Sequence, residues 1–296
     1  MRINGSGWRK RTCAAAAAFL LLAAAGCSGA TTAGLPEADA PAAVPSDGGP
    51  GAAENGTGQP AGPVSAALDL LAAGTDAEFS VAVRDNASGE SWQYNAQQRY
   101  LEASLVKVPI LLTLIRQATA EGRDLTAEEV NLATLMIEYS DNEATSALYD
   151  GLGGRPELQR TYELIGVEAT EAGEMWGASE TTAEDQLRIS RTVAEGADWL
   201  DPDLLAFGVA LMENVCPEQS WGITAGVGAP DAQIGLKNGW LQDDEAAWNV
   251  GSAGFIRAGG NDYSIVVLSA RNPTLADGID VVESVASTVN GYTGGS

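Results

Sequence analysis

Ser104-Leu105-Val106-Lys107, followed by Val108-Pro109-Ile110-Leu111-Leu112, places a hydroxyl and an amine three residues apart at the mouth of an apolar run. On a helix, positions i and i+3 share a face. A lysine so placed can accept the serine proton when its own charge is disfavoured, and the valines on either side of Lys107 disfavour that charge by desolvation. Ser104 is therefore a candidate activated nucleophile. The 296-residue chain contains no histidine, which removes a Ser-His-Asp triad, a Cys-His pair and an H-E-x-x-H zinc site. Lysine is the base that remains. After the first 27 residues the chain has two lysines, Lys107 and Lys237, and both sit in motif-like contexts. Taken alone, Ser104 has a blander reading as the cap of its helix.

Outward from this stretch, Val64 to Ala73 reads as a helix, Glu78-Phe79-Ser80-Val81-Ala82-Val83 alternates as a half-buried strand, and Asn86-Ala87-Ser88-Gly89 supplies a turn into Ser91-Trp92-Gln93-Tyr94. Pro109 removes one backbone donor, so distortion is expected in the first turns of the helix that begins near Ser104. Residues 126 to about 195 show no strand pattern and several helical stretches, among them Ala127–Glu138, Glu143–Leu152 and Thr182–Glu195. Strand character returns in 232–236, in 247–250 leading into 254–256, and in 263–268, before a final amphipathic helix over 275–289. The expected fold is an α/β arrangement of the α+β type. One antiparallel five-stranded sheet is assembled from both chain ends and flanked by helices, with an all-helical subdomain inserted.

Two further clusters lie at element junctions. Ser140-Asp141-Asn142 falls between two expected helices, where a loop points Ser140 and Asn142 into a cleft, and Lys237-Asn238-Gly239 follows an apolar strand. Each piece alone is weak: Ser140 and Asp141 also suit a helix cap, and Lys237 a snorkelling strand lysine. In order, the three pieces resemble the S-x-x-K, S-D-N and K-T-G set of class A β-lactamases and penicillin-binding proteins. The resemblance spans residues 64 to 292. It implies a site between sheet and helical subdomain in which Ser104 attacks a carbonyl and Lys107 takes its proton, directly or through a hydroxyl. Ser140 shuttles a proton to the leaving nitrogen, while Asn142 orients Lys107 and the substrate amide. Lys237 holds Ser140 and attracts a substrate carboxylate. The N–H groups of Ser104 and Trp240 form the oxyanion hole, Gly239 allows close approach, and Trp240 narrows the site. Asn238 departs from the pattern, with an amide where a hydroxyl is usual, and is expected to bond the carboxylate in its place. A second departure is the deacylating glutamate in an E-x-x-L-N pattern. The stretch 167–181 holds Glu168, Glu171, Glu174 and Glu180, none followed by Leu and Asn at that spacing, which leaves Glu171 or Glu174 as substitute bases or all four as a solvated acidic loop. No metal and no organic cofactor is implied. The implied substrate is a β-lactam or a peptidoglycan-like peptide. A D-alanyl-D-alanine peptidase, or an inert binding module on the same fold, is the alternative reading.

Four of the 16 basic residues and none of the 40 acidic ones precede position 28, so the remainder carries 12 basic against 40 acidic residues, a formal charge of −28. Nucleic acid is excluded as a partner by that charge, and so is polybasic attraction to anionic lipid. Arg9-Lys10-Arg11 precedes an uncharged run, Cys13 to Gly26, too short to span a bilayer, and reads as a secretory signal. Ala24-Ala25-Gly26-Cys27 resembles a bacterial lipoprotein cleavage box. Residues 1–27 are then a lipoprotein-type signal with a lipidated Cys27, 28–63 a flexible Ala/Gly/Pro-rich tether, and 64–292 the catalytic domain, exported and held to the membrane by lipid. A monomer is expected. Cys216 is the one cysteine in the domain, so no disulfide framework exists there, and it is read as a small apolar core residue.

Overall fold

The computed structural model describes residues 57–58 and 62–293. The leader with Cys27, and nearly all of the 28–63 tether, lie outside the described residues. In chain order the elements are β1 (Thr57–Gly58), α1 (Gly62–Ala73), β2 (Glu78–Asp85), β3 (Ser91–Tyr94), β4 (Tyr100–Leu101), a 3-10 turn (Ala103–Val106) and α2 (Lys107–Glu121). The helical insertion follows as α3 (Ala127–Glu138), α4 (Asn142–Gly151) and α5 (Arg155–Ile165), then β5 (Glu180–Thr181), α6 (Ala183–Glu195), α7 (Pro202–Glu213) and a short 3-10 turn (Pro217–Gln219). The chain returns to the sheet with β6 (Gln233–Gln242), β7 (Trp248–Ala258) and β8 (Asn261–Asn272), and ends on α8 (Leu275–Thr293).

Local chemistry sets these boundaries. The Thr126 side chain and Glu129 form a reciprocal capping box at the start of α3. Asp141 and Asp201 accept backbone N–H groups at the starts of α4 and α7, and left-handed glycines, Gly122 and Gly166, close α2 and α5. The β2–β3 turn is pinned by Asp85, whose Oδ1 accepts from the N–H of Ala87 at 2.9 Å and of Ser88 at 2.7 Å. Between β7 and β8, Gly259 (φ 58°) and Gly260 (φ 89°) form a two-residue turn with both φ positive, the geometry that matches strand twist and that glycine adopts without strain.

The sheet runs in the order β1-β3-β2-β8-β7-β6. Its five long strands are antiparallel neighbours drawn from both chain ends, as expected. Thr57 and Gly58, inside the stretch read as a tether, add a short parallel edge against Ser91 and Trp92. A second departure is the pairing of Tyr100 with Thr181 and Leu101 with Glu180, in a region where the sequence showed no strand. Two residues carry no periodicity; their pairing arises only because the chain before Ser104 meets the chain before α6. The expected distortion near Pro109 falls in the 3-10 turn Ala103–Val106, while Pro109 itself is the third residue of α2, where an N–H has no intrahelical partner anyway.

Three apolar clusters hold the fold together. The first surrounds α2: Leu111, Leu112, Leu114 and Ile115 pack with Met136 of α3, Leu148 of α4 and Tyr162 of α5. Each of those α2 side chains is at most 1% exposed, and burial of such a side chain contributes about 1.5–3 kcal/mol. The second cluster lies between the sheet and α1 with α8, and includes Leu68, Val81, Ile265, Val282 and Val289. The third, on the other sheet face, joins Ala82, Val266 and Leu268 to Leu187 of α6 and to Leu105, next to the candidate nucleophile. α2 therefore enters the helical core while its first turn is wedged against the sheet.

Candidate active site

Lys107 opens α2, fully buried, and its Nζ lies 2.7 Å from the Ser140 carbonyl, 3.0 Å from Ser140 Oγ and 2.8 Å from Asn142 Oδ1. Lys237, on β6 and 1% exposed, bonds the same Ser140 Oγ at 3.0 Å and the Asn238 carbonyl at 2.9 Å. Two lysines far apart in sequence thus converge on one hydroxyl carried by a third segment. Asp141 takes the capping role at α4, accepting from the Ala144 N–H at 2.8 Å, which leaves Ser140 and Asn142 free to face Lys107. Ser104 is half-buried in the 3-10 turn, and the N-cap of α2 is Val106, so Ser104 does not cap that helix.

Burial pushes the Lys107 ammonium down to about 6, and the charge of Lys237 pushes it the same way. Burial also lowers Lys237, to about 7. A neutral Lys107 has two N–H groups and a lone pair. The Ser140 carbonyl and Asn142 Oδ1 can only accept, so they take the two N–H groups and the lone pair receives the Ser140 O–H. Ser140 Oγ in turn accepts from Lys237. With Lys107 neutral the result is a directed relay, in which Lys237 donates to Ser140 and Ser140 donates to Lys107; with Lys107 protonated the second bond reverses.

The indole of Trp176 lies over Lys107 Nζ at 5.2 Å from the ring centroid, fixed by its Nε1–H donating to Ser146 Oγ at 3.0 Å. Gly239 packs β6 against the turn that carries Ser104: a Cβ there would sit 3.0 Å from the amide nitrogens of both Ser104 and Leu105. β6 is the outer strand of the sheet, and its Asn238 carbonyl faces Lys237 Nζ rather than β7. By strand alternation the Trp240 N–H points to that same free edge. Ala103 (φ 49°) and Ser140 (φ 56°) both hold the left-handed backbone region, which costs a non-glycine residue about 1–3 kcal/mol and concentrates at functional sites.

Asn238 corrects an expectation. It is fully buried, and its amide donates to the carbonyls of Gln219 at 2.8 Å and Trp221 at 3.1 Å, so no donor is left for a carboxylate. Strand alternation turns it to the opposite face from Lys237, where it straps the 219–221 segment to β6. Trp221 packs against Trp240, ring centroids 5.9 Å apart. The loop glutamates are also displaced from the cluster. Glu174 is 82% exposed and pairs with Arg155, Glu168 pairs with Arg188, Glu180 pairs with Arg99, and Glu171 is exposed. Trp176, not a carboxylate, is the loop side chain that meets Lys107. Sequence reading passed over Trp176 and Glu102; the visible signals were a tryptophan in an acidic loop and an acid between Leu101 and the apolar Leu105-Val106.

Residues 63–132 and 121–293 match the profile of the beta-lactamase enzyme family. The chain belongs to that family. Among solved structures, a class A β-lactamase from Bacteroides cellulosilyticus is 17% identical with a TM-score of 0.71, over 80% of this chain and 99% of its own. PBP-A is 22% identical with a TM-score of 0.68, over 79% of this chain and 97% of its own. A PBP-A mutant solved as its acyl-enzyme complex with penicillin G is 23% identical, TM-score 0.65, over 77% and 94% of the two chains. No curated protein sequence matches. The family's fold is the one described above, a mixed α/β structure with an antiparallel sheet and a helical subdomain.

Proposed function

We propose that this member of the family is an exported serine hydrolase, held to the membrane through Cys27, that is acylated at Ser104 by a β-lactam or a related amide or ester and loses the acyl group slowly. The single observation that carries the reading is the convergence of Lys107 and Lys237 on the Ser140 hydroxyl, with Asn142 Oδ1 held against Lys107, beside the turn that presents Ser104. In acylation the Ser104 oxygen attacks the carbonyl carbon, and its proton passes to neutral Lys107, through the Ser140 hydroxyl or directly. The oxyanion is met by the N–H groups of Ser104 and Trp240. As the C–N bond breaks, the leaving nitrogen takes the Ser140 proton, and Ser140 regains one from Lys107.

Deacylation needs a water that is held and deprotonated, and general-base assistance is typically worth about 10² to 10⁴ in rate. The loop glutamates are paired with arginines or exposed, and an indole fills the loop's approach to Lys107. The first step therefore keeps its base while the second lacks one. Intact mass after mixing the protein with excess penicillin tests this: an adduct that persists for many minutes is expected, and rapid multiple turnover with only free protein recovered refutes the slow second step. The same features, with the similarity to PBP-A, support a D-alanyl peptide hydrolase as the second reading. Release of D-alanine from a D-alanyl-D-alanine peptide decides for it.

Acylation is expected to follow a bell-shaped pH profile. It rises as Lys107 loses its proton near pH 6 and falls as Lys237 loses the charge that attracts a carboxylate near pH 7. Substrates without a carboxylate should lose the descending limb. Acylation rates with a penicillin and with an uncharged activated ester, from pH 5 to 9, check this; a flat profile for both contradicts the assignment of the two lysines.

A further inference from the structure

Glu102, two residues before Ser104, is fully buried and takes no part in the chemistry above. Its Oε1 accepts from the Tyr162 hydroxyl of α5 at 2.8 Å and from Gln186 Nε2 of α6 at 3.1 Å, while its Oε2 has no partner among the described residues. Its backbone N–H donates to the Ser179 carbonyl at 2.8 Å, and the next N–H, of Ala103, to the Gly177 carbonyl at 3.0 Å. We propose that Glu102 is a positioning residue for Ser104, tying the nucleophile turn to α5, to α6 and to the end of the loop that carries Trp176. The proposal rests on Ser104 being the nucleophile.

The network is directional. The two hydrogens of Gln186 Nε2 go to Glu102 Oε1 and, at 3.0 Å, to Thr181 Oγ1. Thr181 and Thr170 share a bond of 2.8 Å, and Thr170 donates to Asp185 Oδ2 at 2.8 Å. Since the Thr170 hydrogen is spent on Asp185, the Thr181 hydroxyl donates to Thr170. Asp185 also accepts the N–H groups of Glu168 and Ala169 and pairs with Arg188, a set of donors suited to an anion. Glu102 lacks such a set. One of its oxygens is bare in the core, a position that suits a neutral acid, because an uncompensated buried charge is far costlier than an unbonded O–H. Burial raises Glu102 to about 8, with the negative Asp185 on α6 acting the same way and the bonds from Tyr162 and Gln186 acting against it. The other titratable groups facing it are Tyr162 of α5 and Tyr149 of α4, both hydroxyls pushed up by burial. The strained Ala103, φ 49°, lies between this anchored residue and Ser104, so the anchor fixes where the hydroxyl points.

The linkage has a definite sign. A carboxyl raised in the folded state contributes stability that is fully present below its ordinary value of 4.5 and lost as pH rises through about 8. The test compares wild type, Glu102→Gln and Glu102→Ala in the full chain. Glutamine keeps the acceptor and cannot ionise. It is expected to acylate within a few-fold of wild type at pH 7, and its thermal midpoint should gain on that of wild type steadily as pH rises from 5 to 8. Alanine should slow acylation on the order of 10²-fold, the effect of misplacing a reacting group by about 1 Å. It should also lose hydrogen-exchange protection at the amides of Glu102 and Ala103 while β7 and β8 stay protected. Wild-type acylation by a folded Glu102→Ala protein, or identical pH dependence of the midpoint in wild type and Glu102→Gln, overturns the proposal. If wild type forms no adduct at all, the nucleophile reading fails separately, and the midpoint and exchange comparisons still decide the role of Glu102. Should the alanine variant not fold, the glutamine comparison decides alone.

Discussion

Replacing Ser104 by alanine is expected to abolish covalent labelling by a β-lactam, with no measurable change in folding. The hydroxyl is the one oxygen nucleophile presented by the turn that abuts Gly239, where the amides of Ser104 and Leu105 come within 3.0 Å of the position a Cβ would take. An oxygen on Ser140 cannot take over, because it is already bonded to both lysines. Folding should not register the change, since Ser104 is half-buried and caps no helix, and substitutions of that kind stay within about 0.5 kcal/mol. Intact mass and thermal unfolding, measured on the same preparation, check both parts. An adduct on Ser104→Ala, formed at the wild-type rate, removes Ser104 as nucleophile.

Lys107 gives the second large effect, and the choice of substitution separates two roles. If Lys107 is the proton acceptor, Lys107→Ala should slow acylation by about 10² to 10⁴, the usual contribution of a general base, and no histidine exists to substitute. Lys107→Arg should fare no better. A guanidinium keeps its proton at all accessible pH, so it preserves the positive charge and removes the base. Retention of acylation within about tenfold in the arginine variant would falsify the base assignment and leave Lys107 as a charge that holds Ser140 and Asn142. Lys237→Ala is a useful contrast: it leaves the base in place and removes the group bonded to the other side of Ser140. Its loss should be greatest for substrates that carry a carboxylate.

The helices and strands were largely legible because their signals are local. Thr126 with Glu129 marks the start of α3, Asp141 marks α4, and alternation from Phe79 to Val83 marks β2. The helix after Ser104 was legible for the same reason, as one long apolar run. What stayed hidden was short, or depended on partners distant in the chain. Tyr100–Leu101 and Glu180–Thr181 are too short to show a period and are strands only because they pair with each other. Thr57–Gly58 reads as tether and becomes an edge only beside Ser91 and Trp92.

The same division runs through the site. The sequence by itself set a serine and a lysine three residues apart at the head of an apolar run, left lysine as the candidate base in a chain without histidine, and offered Ser140, Asn142 and Lys237 as candidates to join them, because residue type and spacing carry that information. Only the tertiary structure decided which side chains meet. Asn238 looked like a substrate donor, yet packing turns its amide into the 219–221 segment. Glu171 and Glu174 had the right chemistry for a water-activating base, but the loop turns them outward and lays Trp176 over Lys107. Glu102 looked like an ordinary acid before an apolar run, and the fold buries it as an acceptor for Tyr162 and Gln186. Spacing along the chain fixes which groups lie on one face. Direction, burial and charge state depend on what packs opposite, and in this protein the opposing groups lie tens of residues away.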